Sequence, residues 1–191
     1  MRQAPSDAHD RAMTPTDQRA NGSIRRSLMR LEGAIARRPG FGQVTQSSTT
    51  RCDAGLVCET LERDHLVRTD LPRALGGQDG APSPGALMRA ALGSCLAMGY
   101  RLRAARHDVP LDAIVVTVET DSVLAGMLDP NEVSPPGFTG IRVHVRLAAG
   151  FAPTRDLRSV IAEADRLSPV LDALRRPNPV ESSVQLSSGD R

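Results

Sequence analysis

One segment, residues 83–106, constrains the fold more than any other part of the chain. It reads SPGALMRAALGSCLAMGYRLRAAR. Ser83 can cap a helix and Pro84 suits its first position, so the spacing predicts a helix that runs to about Arg106. We expect its buried stripe to comprise Leu87, Ala91, Cys95, Met98, Leu102 and Ala105. The opposite side also carries little charge, which predicts burial on several sides.

Small residues recur in the same helix, and they include Gly93, Ser94, Ala97 and Gly99. Glycine inside a helix costs about 1 kcal/mol relative to alanine. We therefore expect these positions to serve the close approach of another backbone.

The thiol of Cys95 lies on the predicted apolar face and has two interpretations. A free cysteine is often a small buried residue with no chemistry. A reactive one needs a cation or a helix N-terminus beside it. Cys95 is about three turns into the helix, too far to feel the dipole at its start, so a cation would have to come from elsewhere.

The remaining segments predict an α+β fold with antiparallel sheet. Residues 1–22 are polar and aperiodic, which is typical of a disordered tail. Residues 23–40 predict a helical appendage that starts at Ser23 and packs on the main domain, residues 41–191, with an apolar face of Ile24, Leu28, Leu31 and Ile35. In that domain six runs predict strands: QVTQSSTTRC, LVCETLE, LVRTDL, LDAIVVTVET, IRVHVRL and VESSVQL. Residues 121–140 predict a long loop. Two further runs predict helices, namely PTRDLRSVIAEADRLS and PVLDALRR.

Composition excludes several classes of function. Aromatic residues are 2% of the 191, and the basic residues, all arginine, are interspersed with acidic ones to a net charge of +2. Neither a stacking platform nor a basic stripe for nucleic acid is therefore expected. The sequence has no apolar run of membrane-spanning length and no signal-peptide core, so we expect no membrane partner, a cytoplasmic location and reduced cysteines. Phosphate-loop, GxSxG and HExxH motifs are missing, and we expect no metal and no cofactor.

Residues 42–187 resemble the osmotically inducible protein C / organic hydroperoxide resistance (OsmC/Ohr) superfamily. The resemblance lies in the order and spacing of a GG-containing loop, a Ser-Pro helix start, an Ala-x-x-Ser-Cys helix, an Ile/Val-rich strand, a loop ending in PPGF, another strand and a PV helix. It implies an intertwined homodimer, in which one long helix from each chain lies back to back and sheets built from both chains wrap around them.

The resemblance also implies a chemistry. In catalytic members, a cysteine on the central helix attacks the O–O bond of an organic hydroperoxide, becomes a sulfenic acid and forms a disulfide with a second cysteine. Lipoyl or other thiol donors then reduce that disulfide. Cys95 matches the attacking cysteine. An arginine and a glutamate favour its thiolate in the family, and Arg73 is the candidate for the arginine.

This chain departs from the family pattern at two places. The second cysteine normally stands in a CPV sequence, and the matching residue here is Ser168 in LSPV. The family glutamate at the helix start is replaced by Gly85-Ala86. A hydroxyl cannot form a disulfide, so Cys58 is a further candidate for the second thiol.

Two hypotheses of different classes follow. The first is a one-Cys, thiol-dependent organic hydroperoxide reductase in oxidative stress defence, with Cys95 as nucleophile and an external thiol as reductant. The second is a non-catalytic dimer of the same fold that binds a small apolar ligand beside Cys95. The sequence leaves open whether the chain is an enzyme.

Overall fold

Two antiparallel sheets and a long central helix form the fold of the computed structural model, which describes residues 15–131, 133–150 and 152–186. The elements in chain order are α1 Pro15–Arg37, β1 Thr49–Arg51, β2 Cys58–Glu62, β3 His65–Thr69, α2 Pro84–Arg106, β4 Ala113–Ser122, α3 Leu124–Leu128, β5 Phe138–Ala148, α4 Thr154–Arg166 and α5 Pro169–Arg175. A 3₁₀ turn, Arg73–Leu75, lies between β3 and α2.

Each sheet is a simple antiparallel ladder. The first has the order β1-β2-β3, and the second pairs β4 with β5. The second ladder runs from Ala113 opposite Ala148 to Ser122 opposite Phe138, with one irregularity between Asp121 and Ser122. The sequence prediction of an α+β fold with antiparallel sheet is therefore confirmed.

Helix α2 has the predicted bounds and the predicted cap. The Ser83 side chain accepts a hydrogen bond from the Ala86 amide at 3.3 Å, and Pro84 is the first helical residue. Its core-facing stripe differs from the prediction. The buried residues are Leu92, Leu96, Tyr100 and Ala104, together with Ala105.

The predicted stripe was wrong because α2 is apolar on two sides, and periodicity cannot say which side meets the core. The inner side packs on β4, β5 and α4. Of the predicted stripe, Ala105 is buried, whereas Ala91 and Met98 are exposed, Met98 by 62%. Cys95 lies at the border between the two sides and is half-buried.

Two of the small residues in α2 do face other backbone segments. A Cβ built on Gly93 would lie 3.6 Å from Val118 of β4, and one on Gly99 would lie 3.5 Å from Ala164 of α4. Both are ordinary contact distances. The small residues thus bring α2 close to its own chain's sheet and helix, with room for one methyl group.

Helix α1 starts at Pro15, eight residues before the predicted start at Ser23. Residues 15–22 of the predicted disordered tail are therefore helical, and residues 1–14 lie outside the described part of the chain. Alanine, glutamine and arginine at 18–20 are good helix formers, which explains the extension through Gly22. The division of the chain into tail, appendage and domain stays a prediction.

Two ion pairs attach α1 to the C-terminal end of α2. Arg25 lies 3.3 Å from Asp108, and Glu32 pairs with Arg106. Of the apolar face predicted for α1, Ile24 and Leu28 are half-buried, whereas Leu31 and Ile35 are more than half exposed. The prediction was wrong for the last two because α1 meets α2 along only part of its face.

Three other segments differ from the sequence-based prediction. In the first, residues 43–52, only Thr49–Arg51 form a strand. The loop predicted at 121–140 contains the short helix α3. Residues 180–186, predicted as a strand, form no strand, and Val180, Val184 and Leu186 are 80–89% exposed. A strand needs a partner, and no other strand of the described chain pairs with this segment.

The GG-containing loop is built around a buried carboxylate. Asp70 is 2% exposed and accepts hydrogen bonds from the amides of Leu71 at 2.7 Å and of Gln78 and Gly80 at 3.0 Å. These amides, Gly80 first, hold the pKa of Asp70 below its usual range. At Gly77 the chain turns so closely that a Cβ would lie 1.8 Å from the Leu71 carbonyl oxygen.

Alanine substitutions distinguish Gly77, which has no space for a methyl group, from Gly99, which has. We expect Gly77→Ala to lower the free energy of unfolding by about 1–3 kcal/mol, since its methyl group must displace backbone. Gly99→Ala is the matched control, and its methyl group fits beside Ala164. It should leave stability unchanged or raise it by up to about 1 kcal/mol, because alanine is the better helix former. Urea unfolding measures both, and a Gly77→Ala variant as stable as the native chain would contradict the loop geometry.

Candidate functional site

The thiol of Cys95 meets the hydroxyl of Ser168. The Sγ and Oγ atoms are 3.3 Å apart, although the two residues are 73 positions apart in the sequence. Ser168 is 3% exposed, so its side chain is buried. The structure thus brings together two of the residues that the sequence analysis singled out.

Ser168 is placed by its position between two helices. Helix α4 ends at Arg166, and Ser168 has extended backbone angles and caps α5, whose first residue is Pro169. Its Oγ accepts a hydrogen bond from the Leu171 amide at 3.3 Å. Because this bond uses a lone pair, the hydroxyl hydrogen stays available for the sulfur of Cys95.

Helix α4 is fixed against α2 by a part-buried hydrogen bond. The Tyr100 hydroxyl donates to Asp165 at 2.8 Å, and Tyr100 is 1% exposed. Burial, and then the neighbouring Asp165 carboxylate, raise the pKa of Tyr100, so the phenol stays neutral and donates. The bond sets the height of α4 along α2 and thereby the position of Ser168 beside Cys95.

A second contact fixes the far end of the same pair of helices. Glu163 of α4 lies 3.4 Å from Arg103 and 2.5 Å from Nε2 of His107. The hydrogen bond with His107 is the main cause that lowers the pKa of Glu163. The sequence analysis missed both contacts between α2 and α4. The signal that could have indicated the first is the single tyrosine of the chain, placed in an apolar helix.

An apolar groove of about 430 Å³ lies between α2, β5 and α5. Leu92 and Leu96 of α2 line it, and Cys95, between them in sequence, lies next to the groove without lining it. Asp165 and Arg175 are its charged residues. The other lining residues are Tyr100, Ile141, Val143, Val145, Leu171 and Leu174.

The other candidates, Arg73 and Cys58, lie on elements other than α2. Arg73 is exposed in the 3₁₀ turn, and the Cys58 thiol is directed to the Leu56 carbonyl at 3.9 Å. No hydrogen bond joins either of them to Cys95 among the residues that the structure describes. Gly85, where the family has its glutamate, faces the ring of Phe138, and the first turn of α2 carries no acid.

Within the described ranges, no three or more His, Cys, Asp or Glu side chains are grouped so that they could hold a metal ion. No helix of that part of the chain is long and apolar enough to cross a membrane.

Comparison with known proteins agrees with this architecture. Curated proteins give no match. Among solved structures, the fold resembles an organic hydroperoxide resistance protein OsmC from Legionella pneumophila (21% identity, TM-score 0.53, covering 70% of this chain and 91% of that one). It also resembles an OsmC-like protein from Mycoplasma pneumoniae (13%, 0.58, 70% and 89%) and an organic hydroperoxide resistance protein from Elizabethkingia anophelis (17%, 0.53, 71% and 91%).

At these identities the solved structures establish the fold alone. The sequence itself matches the model of the OsmC-like protein family over residues 77–183, more than half of the 191 residues. The matched range includes α2 with Cys95, both strands of the second sheet, and Ser168. The chain therefore belongs to the OsmC family.

Proposed function

We propose that the chain is a thiol-dependent organic hydroperoxide reductase of the one-Cys type that acts in oxidative stress defence. The observation that carries the proposal is the pair of Cys95 and Ser168, 3.3 Å apart on an OsmC fold. Two of the solved structures with this fold are named organic hydroperoxide resistance proteins. Family membership supports a role connected with peroxide stress.

The proposed first step uses Cys95 alone as the nucleophile. Its sulfur, as the thiolate, attacks the outer oxygen of the hydroperoxide, an S–O bond forms and the O–O bond breaks. The electron pair of the O–O bond leaves with the inner oxygen, which takes up the thiol proton and becomes the alcohol. Cys95 is thereby oxidised to a sulfenic acid. The Ser168 hydroxyl, which can donate to the sulfur, orients it for the attack.

The second step requires a reductant from outside the chain. An external thiol attacks the sulfenic sulfur and releases water, and a second thiol frees Cys95 as the external disulfide forms. Ser168 cannot replace the external thiol in its attack on the sulfenic sulfur, because its hydroxyl forms no disulfide. The three cysteines of this chain are all free thiols, which suits a reducing compartment, the cytoplasm in this proposal. Arg73 and Cys58 remain candidates for the thiolate-stabilising cation and for a further thiol, and the cycle uses no cofactor.

A homodimer is part of the proposal. The outer side of α2 presents Ala90, Ala91, Ser94 and Met98 to solvent. These four residues form a small and largely apolar surface in the middle of the helix. The β1–β3 sheet makes at most sparse contacts with the other elements, and it exposes half of Leu61 and Leu66. Exposed apolar surface of this kind is typical of an interface. A second copy with α2 against α2 covers it by two-fold symmetry.

The groove supports a second candidate function. Its lining is mostly apolar, with Asp165 and Arg175 as the only charged lining residues, and its volume suits a small molecule. In this alternative the chain is a non-catalytic dimer that binds a small apolar ligand in the groove, and Cys95 lies beside the groove without chemical function.

Peroxide turnover separates the two functions. With cumene hydroperoxide and dihydrolipoamide or dithiothreitol, we expect the native chain to consume peroxide and Cys95→Ser to fall to the rate of the thiol alone. Ser168→Ala should lower the second-order rate constant about tenfold, the worth of one hydrogen bond of about 1.5 kcal/mol to the sulfur. Equal rates for the native chain and Cys95→Ser would exclude the reductase. Saturable binding of an apolar fluorophore by both proteins would then favour the alternative.

Replacing Ser168 by cysteine tests the geometry of the pair directly. Because the two side chains meet at 3.3 Å, we expect the introduced thiol to form a disulfide with Cys95 after only a small side-chain rotation. One equivalent of hydroperoxide should then remove two hydrogens from the intact mass and link tryptic peptides 90–101 and 167–175. Ser168→Ala is the control and should gain oxygen. A Ser168→Cys chain that gains oxygen and stays unlinked would contradict the placement.

A charge on the outer side of α2 tests the dimer. We expect the native chain to elute at twice the chain mass in light-scattering chromatography, and Met98→Glu to elute as a monomer, because a buried unpaired carboxylate opposes association. Val115→Glu is the matched control on the outer face of β4, and it should remain dimeric. A monomeric native chain would overturn this part of the proposal.

A further inference from the structure

The first hairpin carries two cysteines at the point where its strands separate. The strands β1 and β2 pair with Thr49 opposite Leu61, Thr50 opposite Thr60 and Arg51 opposite Glu59. One more step along this antiparallel register brings Cys52 opposite Cys58. The intervening turn, residues 53–57, includes Gly55 with a φ of 65°, a backbone conformation that suits glycine.

Both thiols are directed to this turn. The Sγ of Cys52 donates to the Gly55 carbonyl at 3.5 Å, and the Sγ of Cys58 donates to the adjacent Leu56 carbonyl at 3.9 Å. The neighbouring Cys58 thiol is also the first cause that raises the pKa of Cys52. The side chains therefore share one small region beside the end of the hairpin.

The backbone distance expected there suits a disulfide. Residues directly opposite each other in an antiparallel pair have Cα atoms about 4.5–5.5 Å apart. A disulfide spans about 4.4–6.8 Å between Cα atoms. Cys52 is exposed and Cys58 is half-buried, so a small reagent can reach the pair from the Cys52 side.

We propose that Cys52 and Cys58 form a reversible cross-strand disulfide and are thereby a redox-active thiol pair separate from Cys95. The proposal goes beyond the proposed peroxide chemistry and does not depend on it. It also gives Cys58 a partner on its own hairpin, whereas Cys95 lies on α2.

The oxidant in the proposed reaction is a small-molecule disulfide. The Cys52 thiolate attacks one of its sulfurs, a mixed disulfide forms, and one small thiolate leaves and takes up the Cys52 proton. The Cys58 thiolate then attacks the Cys52 sulfur, the intrachain S–S bond forms, and the second small thiolate leaves and takes up the Cys58 proton. The chain loses two electrons and two protons, and the small disulfide gains both.

The chain offers a direct readout, because trypsin cuts after Arg51 and Arg63 and releases residues 52–63 as one peptide with both cysteines. The full chain is equilibrated with oxidised glutathione, free thiols are alkylated, and the digest is analysed without reduction. We expect this peptide to lack two hydrogens and to carry no alkyl group, and dithiothreitol to restore two alkylation sites.

Matched variants separate this bridge from the chemistry of Cys95. Cys95→Ser should form the bridge as the native chain does, whereas Cys52→Ser and Cys58→Ser should each retain a single alkylated or glutathionylated thiol in the peptide. Far-UV circular dichroism of the variants checks that the fold is intact. Full alkylation of both thiols, a glutathione adduct that never closes, or a link from peptide 52–63 to peptide 90–101 would each overturn the proposal.

Discussion

The contact between α2 and α4 is the interaction on which the site depends. Tyr100 is almost completely buried and donates its hydrogen bond to Asp165, and Ala164 packs against Gly99 one residue earlier in α2. These contacts fix α4 both in height and in distance. The chain leaves α4 at Leu167, and Ser168 then comes to lie beside Cys95. The Cys95–Ser168 pair is thus a consequence of helix packing, and a partner at position 168 meets the sulfur whatever its chemistry.

Much of the local structure could be predicted from the sequence because its signals are local. Ser83 and Pro84 set the start of α2, and the alternation of IRVHVRL indicates β5. The cap of α5 is equally local, because Ser168 followed by Pro169 is a typical helix start. The buried side of α2 could not be predicted, since both of its sides are apolar, and only the packing of β4, β5 and α4 selects Leu92, Leu96 and Tyr100. Residues 180–186 form no strand for a related reason. A strand forms only where a second strand lies alongside to pair with it, and the local sequence does not show whether one does.

The two apolar sides of α2 also explain why this chain exposes so much apolar surface. A helix with two apolar sides can cover one against its own sheet, and the other stays in water unless a second molecule meets it. Met98 and the exposed leucines of β2 and β3 are on surfaces of this kind. The chain has few aromatic residues with which to build a large core of its own. A core shared between two copies therefore fits both its composition and its exposed surface.

Peroxide should convert Cys95 to a sulfenic acid, and Ser168 beside it has no thiol with which to turn that acid into a disulfide. Trapping that species with dimedone, after one equivalent of cumene hydroperoxide in the absence of reductant, tests it most directly. The account predicts a dimedone adduct on Cys95 in tryptic peptide 90–101, formed in the native chain and lost in Cys95→Ser. A native chain in which Cys95 is still a free thiol after the peroxide has been added would contradict it.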